Sequence, residues 1–414
     1  MDYYTLILII AVAGGFLMAF SLGANDVANA MATSVASKAV TIRQAIYIAA
    51  ALNFIGAVFL GAQVTGTIAK GIVPPEVFVD PSIFMLGMLA ALLSAGLWVL
   101  IASFTAFPVS STHSIIGSII GFAVAAGAFA DIHWSTLGFV VLSWITSPFF
   151  GAIVAYVVFV QIRACILYRK KIMYHALFWA PVWVALTMTI ILLSLCFKTP
   201  WGKSLDLSWY HALIIAGVVI SAAVLLGKYL QKHIVLDNGE NPVRRVENMF
   251  KKMQLSTACF VALSQGANDV ANAIGPVAAI VIMIGQVNAG MQDAAEVPLW
   301  LLCMGGFGIA MGIAVLGKNV MSTVGEKITK INNTRGFSVD FSAATTVLIA
   351  SNLGMPISST HTTVGAVVGV GLARGLGAVD LRVLYKIFAY WILTLPIAAV
   401  TSAVIFYILK WIVL

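Results

Sequence analysis

The sequence predicts an all-α polytopic membrane protein with two inverted-topology repeats, interrupted helices and two re-entrant helical hairpins. Three observations carry that prediction. Of 414 residues, 61% are hydrophobic and only 9% are charged, against about a quarter charged in soluble domains. Apolar stretches follow one another along the whole chain, and several are too short to cross a bilayer alone. Short polar motifs lie between them, and each motif occurs twice.

In chain order the apolar stretches are 4–22, 44–65, 83–107, 115–130, 137–160, 176–197 and 211–230, then 253–264, 273–285, 297–317, 339–355, 363–373 and 384–413. The first begins at MDYYTLILII and reads as a spanning helix, not a removed signal peptide. Polar, Gly- or Pro-containing breaks are expected at 23–30, 108–114, 266–273 and 356–362. Non-helical backbone at membrane depth is tolerated only where protein or a cavity satisfies its polar groups. Four such breaks therefore point to a site.

Composition excludes several classes. A chain so poor in charge is not a cytosolic enzyme, a nucleic-acid-binding module or a disordered scaffold. The net charge of +8 reflects Lys and Arg in cytoplasmic loops. Cys165, Cys196, Cys259 and Cys303 show neither CxxC nor metal-ligand spacing, so no disulfide framework is expected.

Orientation follows from the basic residues. With both termini outside the cell membrane, 19 of the 23 Lys and Arg fall in five inside segments. Lys70, Lys198, Lys203 and Lys410 fall outside. This arrangement makes 83–107 and 115–130 a hairpin entering from outside. It makes 339–355 and 363–373 a hairpin entering from inside.

GANDVANA occurs at 23–30 and again at 266–273, and PVSSTHS at 108–114 returns as PISSTHT at 356–362. Gly117 and Gly121 match Gly365 and Gly369; Trp144 and Pro148 correspond to Trp391 and Pro396. The first repeat is read as 1–162 and the second as 246–414. Residues 163–245 supply two connecting helices and a cytoplasmic linker. The loop charges start the halves on opposite sides, so the repeats are inverted, as in secondary transporters with a site near the midplane.

Thirteen of the 15 acidic residues are read in loops or at helix ends. Asp26 and Asp269 are the exceptions, at equivalent positions. An ionised carboxylate inside a bilayer must face a partner or a cavity, and no Lys or Arg is expected at that depth. Asn25 and Asn29 surround Asp26; Asn268 and Asn272 surround Asp269. Carboxylate and amide oxygens suit a hard cation such as Na⁺. Helix-end satisfaction by Asn and Asp is the plainer reading, but two identical copies weigh against it.

Each Pro-x-Ser-Ser-Thr-His run precedes an apolar helix. Proline ends the incoming helix and the hydroxyls cap the outgoing one. Free N–H groups at a helix start then form an anion site. Ser110, Ser111 and Thr112 stand at one tip; Ser358, Ser359 and Thr360 stand at the other. His113 and His361 rank below these hydroxyls, as proton carriers or backbone hydrogen-bonding groups. The glycine pairs read as close helix packing, and Trp144 and Trp391 as packing residues. A phosphate-like anion beside two aspartates, without Lys or Arg, needs accompanying cations. The charge pattern thus suggests cotransport.

These paired motifs resemble the PiT family of inorganic phosphate transporters, over both repeats and so most of the chain. The resemblance implies symport of inorganic phosphate with Na⁺ or H⁺ and assembly as a homodimer. It implies phosphate binding by Ser110, Ser111, Thr112, Ser358, Ser359 and Thr360. It implies ion and substrate roles for Asn25, Asp26, Asn29, Asn268, Asp269 and Asn272. We assign sodium to Asp26, Asn29, Asp269 and Asn272, and phosphate to the hydroxyls with Asn25 and Asn268. The expected function is phosphate import coupled to sodium ions by alternating access. A proton-coupled symporter and an anion channel are the rivals; no enzyme, nucleic-acid partner or further cofactor is expected.

Overall fold

The computed structural model describes residues 3–62, 72–198, 206–233, 241–289, 297–352 and 357–413. Pro356, Lys70 and Lys203, named above, lie outside them. Among the described residues twelve α-helices follow in order: α1 (Tyr3–Ala36), α2 (Ile42–Leu60), α3 (Pro81–Phe104), α4 (Ser111–Ala125), α5 (Trp134–Ile162) and α6 (Ile172–Lys198), then α7 (Trp209–His233), α8 (Pro242–Ala289), α9 (Leu299–Ser322), α10 (Asn333–Asn352), α11 (Ser359–Leu372) and α12 (Leu381–Val413). Among the described residues, nine helices are long and apolar enough to cross a membrane. The chain is a multi-pass, all-helical membrane protein.

Two of the four expected breaks are absent. Residues 23–30 lie inside the unbroken α1, and 266–273 lie inside the unbroken, 48-residue α8. The physical reason is local. GANDVANA supplies four alanines or glycines among its eight residues, alanine being the best helix former. In α1 the Asn and Asp side chains bond to other segments instead of competing for their own backbone. The stretches 253–264 and 273–285 are therefore one helix, about 72 Å long at 1.5 Å per residue.

The hairpin break between α3 and α4 is real and has a clear cause. Ala106 adopts φ +61°. Phe107 N–H donates to Ala102 O at 3.0 Å and Ala106 N–H donates to Ser103 O at 3.2 Å, the paired bonds of a Schellman stop. Pro108 then blocks continuation. Ser110 restarts the chain as the cap of α4, accepting from His113 N–H at 3.3 Å. Ser358 caps α11 in the same way, accepting from His361 N–H at 3.3 Å.

Matched helices pack reciprocally across the two halves. α1 lies against α9 and α8 against α2; α4 lies against α12 and α11 against α5. Glycines permit the close approach. A Cβ on Gly121 would stand 2.1 Å from Ala399 O, and one on Gly369 would stand 2.1 Å from Ala152 O. The GxxxG reading of the sequence is thus a helix-packing device in both halves. α6 and α7 pair with each other beside this core.

Candidate functional site

Both hairpin tips meet at the middle of α1. Ser111 Oγ donates to Asp26 Oδ2 at 2.8 Å, and Thr360 Oγ1 lies 3.4 Å from Asp26 Oδ1. Thr360 Oγ1 is also 3.2 Å from Val109 O, so the second tip touches the first directly. Asn29, one turn along α1, donates to Thr360 Oγ1 at 3.0 Å and to Ser359 Oγ at 3.3 Å. Asn25 grips the unwound backbone of the first hairpin. Its Nδ2 donates to Phe107 O at 3.1 Å, and its Oδ1 accepts from Val109 N–H at 3.0 Å. Spacings of three and four residues place these three side chains along one stripe of α1. All three are buried.

The second copy is arranged differently. Asn268 and Asp269 line a cavity with Gln265, Asn29, Ser359 and Thr363. Its atom-free space, counted to the open mouth, is about 490 Å³. Three buried acceptors of its lining lack a hydrogen-bond partner: Asn29 Oδ1, Gln265 Oε1 and Asp269 Oδ2. A buried polar atom left unpaired is costly and calls for an explanation. Oxygens of this kind fit a hard cation, and no Lys or Arg lines the cavity. Neighbouring hydroxyls of Ser264 and Ser359 and the amide of Asn268 offer donors for an anion, while the Thr363 hydroxyl donates to Asn29 O at 3.3 Å. Asn272 is buried one turn beyond Asp269, and Thr112 is half-buried beside the first tip; neither lines the cavity.

The two identical motifs are thus unequal. Asp26 is held by both tips, while Asp269 Oδ2 is unpartnered. Gln265 helps to set the difference. It precedes the second GANDVANA and donates to Asp26 O at 2.6 Å; the matching residue of the first copy is Leu22. Its one sequence signal is a polar side chain directly after an apolar run.

Sequence reasoning also missed a third buried carboxylate. The apolar run at 339–355 places Asp340 at a helix end. The structure starts α10 at Asn333, which puts Asp340 two turns inside the helix, 2% exposed. Thr33 Oγ1 donates to its Oδ1 at 2.7 Å. The polar start of α10, NTRGFS, hid the true helix origin.

The histidines and tryptophans form one aromatic group behind the tips. His113 packs on Trp144 with centroids 3.6 Å apart, and His361 stacks on Trp391 at 3.7 Å. The imidazoles meet each other at 4.5 Å. His361 Nδ1 is 3.1 Å from Trp144 O, and Trp391 Nε1 donates to Pro108 O at 3.1 Å. This joins α5 and α12 to the hairpin tips.

A family model described as the phosphate transporter family matches residues 22–402. A Thermococcus kodakarensis protein named as a putative phosphate permease is 46% identical over 99% of this chain and 98% of its own length. The inorganic phosphate transporter 2-1 of Arabidopsis thaliana chloroplasts is 39% identical, over 95% of this chain and 70% of that protein. A solved structure titled the sodium-dependent phosphate transporter shares 43% identity and a TM-score of 0.83, covering 98% of this chain and all of that one. The family model and these relatives span nearly the whole chain, and the chain belongs to the phosphate transporter family.

Proposed function

We propose that this protein imports inorganic phosphate across the cell membrane together with sodium ions, by alternating access. The observation that carries the reading is the meeting of both hairpin tips at Asp26, beside a cavity holding three unpartnered buried oxygens. The sodium-dependent phosphate transporter it resembles supports sodium as the coupling ion. Sodium ions take oxygens of Asp26, Asn29, Asp269 and Asn272. Phosphate takes hydroxyls of Ser110, Ser111, Thr112, Ser358, Ser359 and Thr360, with the amides of Asn25 and Asn268. The cations offset the repulsion between the anion and the two carboxylates, so neither cargo binds well alone. The reading includes inverted repeats over 1–162 and 246–414, joined by 163–245, outside termini and a homodimeric assembly.

The deciding measurement is radiolabelled phosphate uptake into proteoliposomes at fixed pH. An inward sodium gradient is expected to drive concentrative uptake, and potassium in its place is not. Uptake driven by a proton gradient alone would replace sodium with a proton carrier at the same site. Equilibration without accumulation would mark a channel.

A variant probes the unequal halves. Gln265→Leu gives the second copy the residue of the first and removes the side-chain donor to the Asp26 carbonyl. Sodium-driven uptake is expected to fall about tenfold, as for one buried hydrogen bond of about 1–2 kcal/mol. Unchanged uptake would remove Gln265 from the site.

A further inference from the structure

Four cations crowd together at the end of the molecule that carries the charged linker. Arg163 Nη1, just past α5, donates to Ala373 O at 2.7 Å. Arg374 Nη1 donates to Thr329 Oγ1 at 3.1 Å and to Lys330 O at 3.3 Å. Arg335 Nη1 donates to that same Lys330 carbonyl at 3.2 Å. Arg163 and Arg335 also share the Phe159 ring, 6.0 and 5.7 Å from its centroid. Lys330 and Arg374 are exposed and line an open pocket with Gly375, Gly377 and Ala378.

The bonds of the three guanidinium groups go to carbonyl and hydroxyl oxygens. Glu247 lies near enough to attract Arg335 through space, but the nearby acids bond other donors. Glu247 accepts from Asn332 Nδ2 at 2.8 Å and from Thr334 Oγ1 at 2.9 Å. Asp380 caps α12, accepting from the N–H groups of Arg382 and Val383. Carbonyl bonds fix the guanidinium groups in place without neutralising them, and Glu247 offsets part of the charge of Arg335. Like charges held this closely repel, and an anion offsets that cost. The pocket wall suits one: Gly375 has φ +117°, and neither Gly375 nor Gly377 has a neighbour within 4 Å of its Cβ position. A backbone this bare leaves the approach to Lys330 and Arg374 clear.

We propose that this pocket binds a phosphate-bearing anion at the inner face of the membrane, the headgroup of an acidic phospholipid being the source its surroundings favour. The surroundings are those of a bilayer interface. Leu376 is 81% exposed beside the pocket, and the exposed Tyr168 ring carries Arg163 at 5.4 Å. Basic pockets rimmed by apolar and aromatic side chains at the cytoplasmic surface select anionic lipids. Free inorganic phosphate offers the same chemistry without the acyl chains. The site lies away from the hairpin tips and does not depend on the transport reading.

Native mass spectrometry of the purified protein tests this, because adduct masses separate the two sources. The protein is presented with equimolar phosphatidylglycerol and phosphatidylcholine, and separately with inorganic phosphate. Phosphatidylglycerol is expected to dominate. Lys330→Gln is expected to lower its occupancy about fivefold, and Lys330→Gln with Arg374→Gln about 25-fold, one factor per cation. The single variant removes an ammonium group and leaves the Lys330 carbonyl contacts intact, so it separates binding from any folding defect of the double variant. Equal retention of the two lipids, with a phosphate adduct weakened by both variants, would keep the anion site and make free phosphate its occupant. Phosphatidylglycerol and phosphate adducts indifferent to both variants would overturn the proposal.

Discussion

Asp26→Asn is expected to lower sodium-driven phosphate uptake about a hundredfold. The carboxylate is 3% exposed and accepts hydroxyl bonds from both hairpin tips. Asparagine keeps the size and one acceptor but removes the charge. A hydrogen bond to a charged group is worth about 1.5–3 kcal/mol, so weakening two of them reaches the roughly 3 kcal/mol that a hundredfold requires. The same change removes the charge that attracts a cation. Asp269→Asn is the informative partner. Its Oδ2 is unpartnered, so the tips stay joined and the expected defect is in sodium dependence, with thermal stability close to wild type. Initial uptake rates against sodium concentration, with melting temperatures in detergent, separate the two. Wild-type uptake with unchanged sodium dependence in Asp26→Asn would sink the assignment.

Gly121→Ala and Gly369→Ala are expected to destabilise the protein by about 1–3 kcal/mol each, the usual cost of overpacking. At both positions the new methyl group would meet a carbonyl oxygen at 2.1 Å. A backbone atom cannot swing aside as a side chain can, so the helices must separate. α4 would be pushed from α12, or α11 from α5, and each hairpin tip would leave Asp26. Gly138→Ala and Gly217→Ala supply the contrast. Neither has a neighbour within 4 Å of its Cβ position, and alanine is favoured over glycine in a helix by about 1 kcal/mol. Melting temperatures are therefore expected to drop for the first pair and to hold or rise for the second. Equal behaviour of all four would contradict the close-packing account.

Much of the fold follows from local rules written in the sequence. Apolar runs of spanning length mark the helices. Pro108 with Ser110 marks a helix stop and a restart, because a proline and a cap act on their immediate neighbours. The glycine pairs mark contact faces because four-residue spacing returns to one side of a helix. The duplicated motifs announce two related halves. The hydroxyls and amides of the site were legible for the same reason, as polar groups repeated where apolar ones are the rule.

Other features depend on distance in space. GANDVANA reads as a break, yet α1 and α8 run through it: its alanines favour helix, and in α1 its polar side chains find partners on the hairpin tips. Asp340 reads as terminal, but the polar first turns of α10 are helix, supported by Glu247 of α8. Two identical octapeptides carry no difference between Asp26 and Asp269. That difference arises from where the tips stand and from Gln265, which has no counterpart in the first half. The cation cluster around Lys330 draws on segments more than 160 residues apart in sequence. Periodicity, caps and close-packing glycines act within a few residues and can be read in order along the chain. Which side chains converge on one carboxylate is set by the packing of helices from both halves.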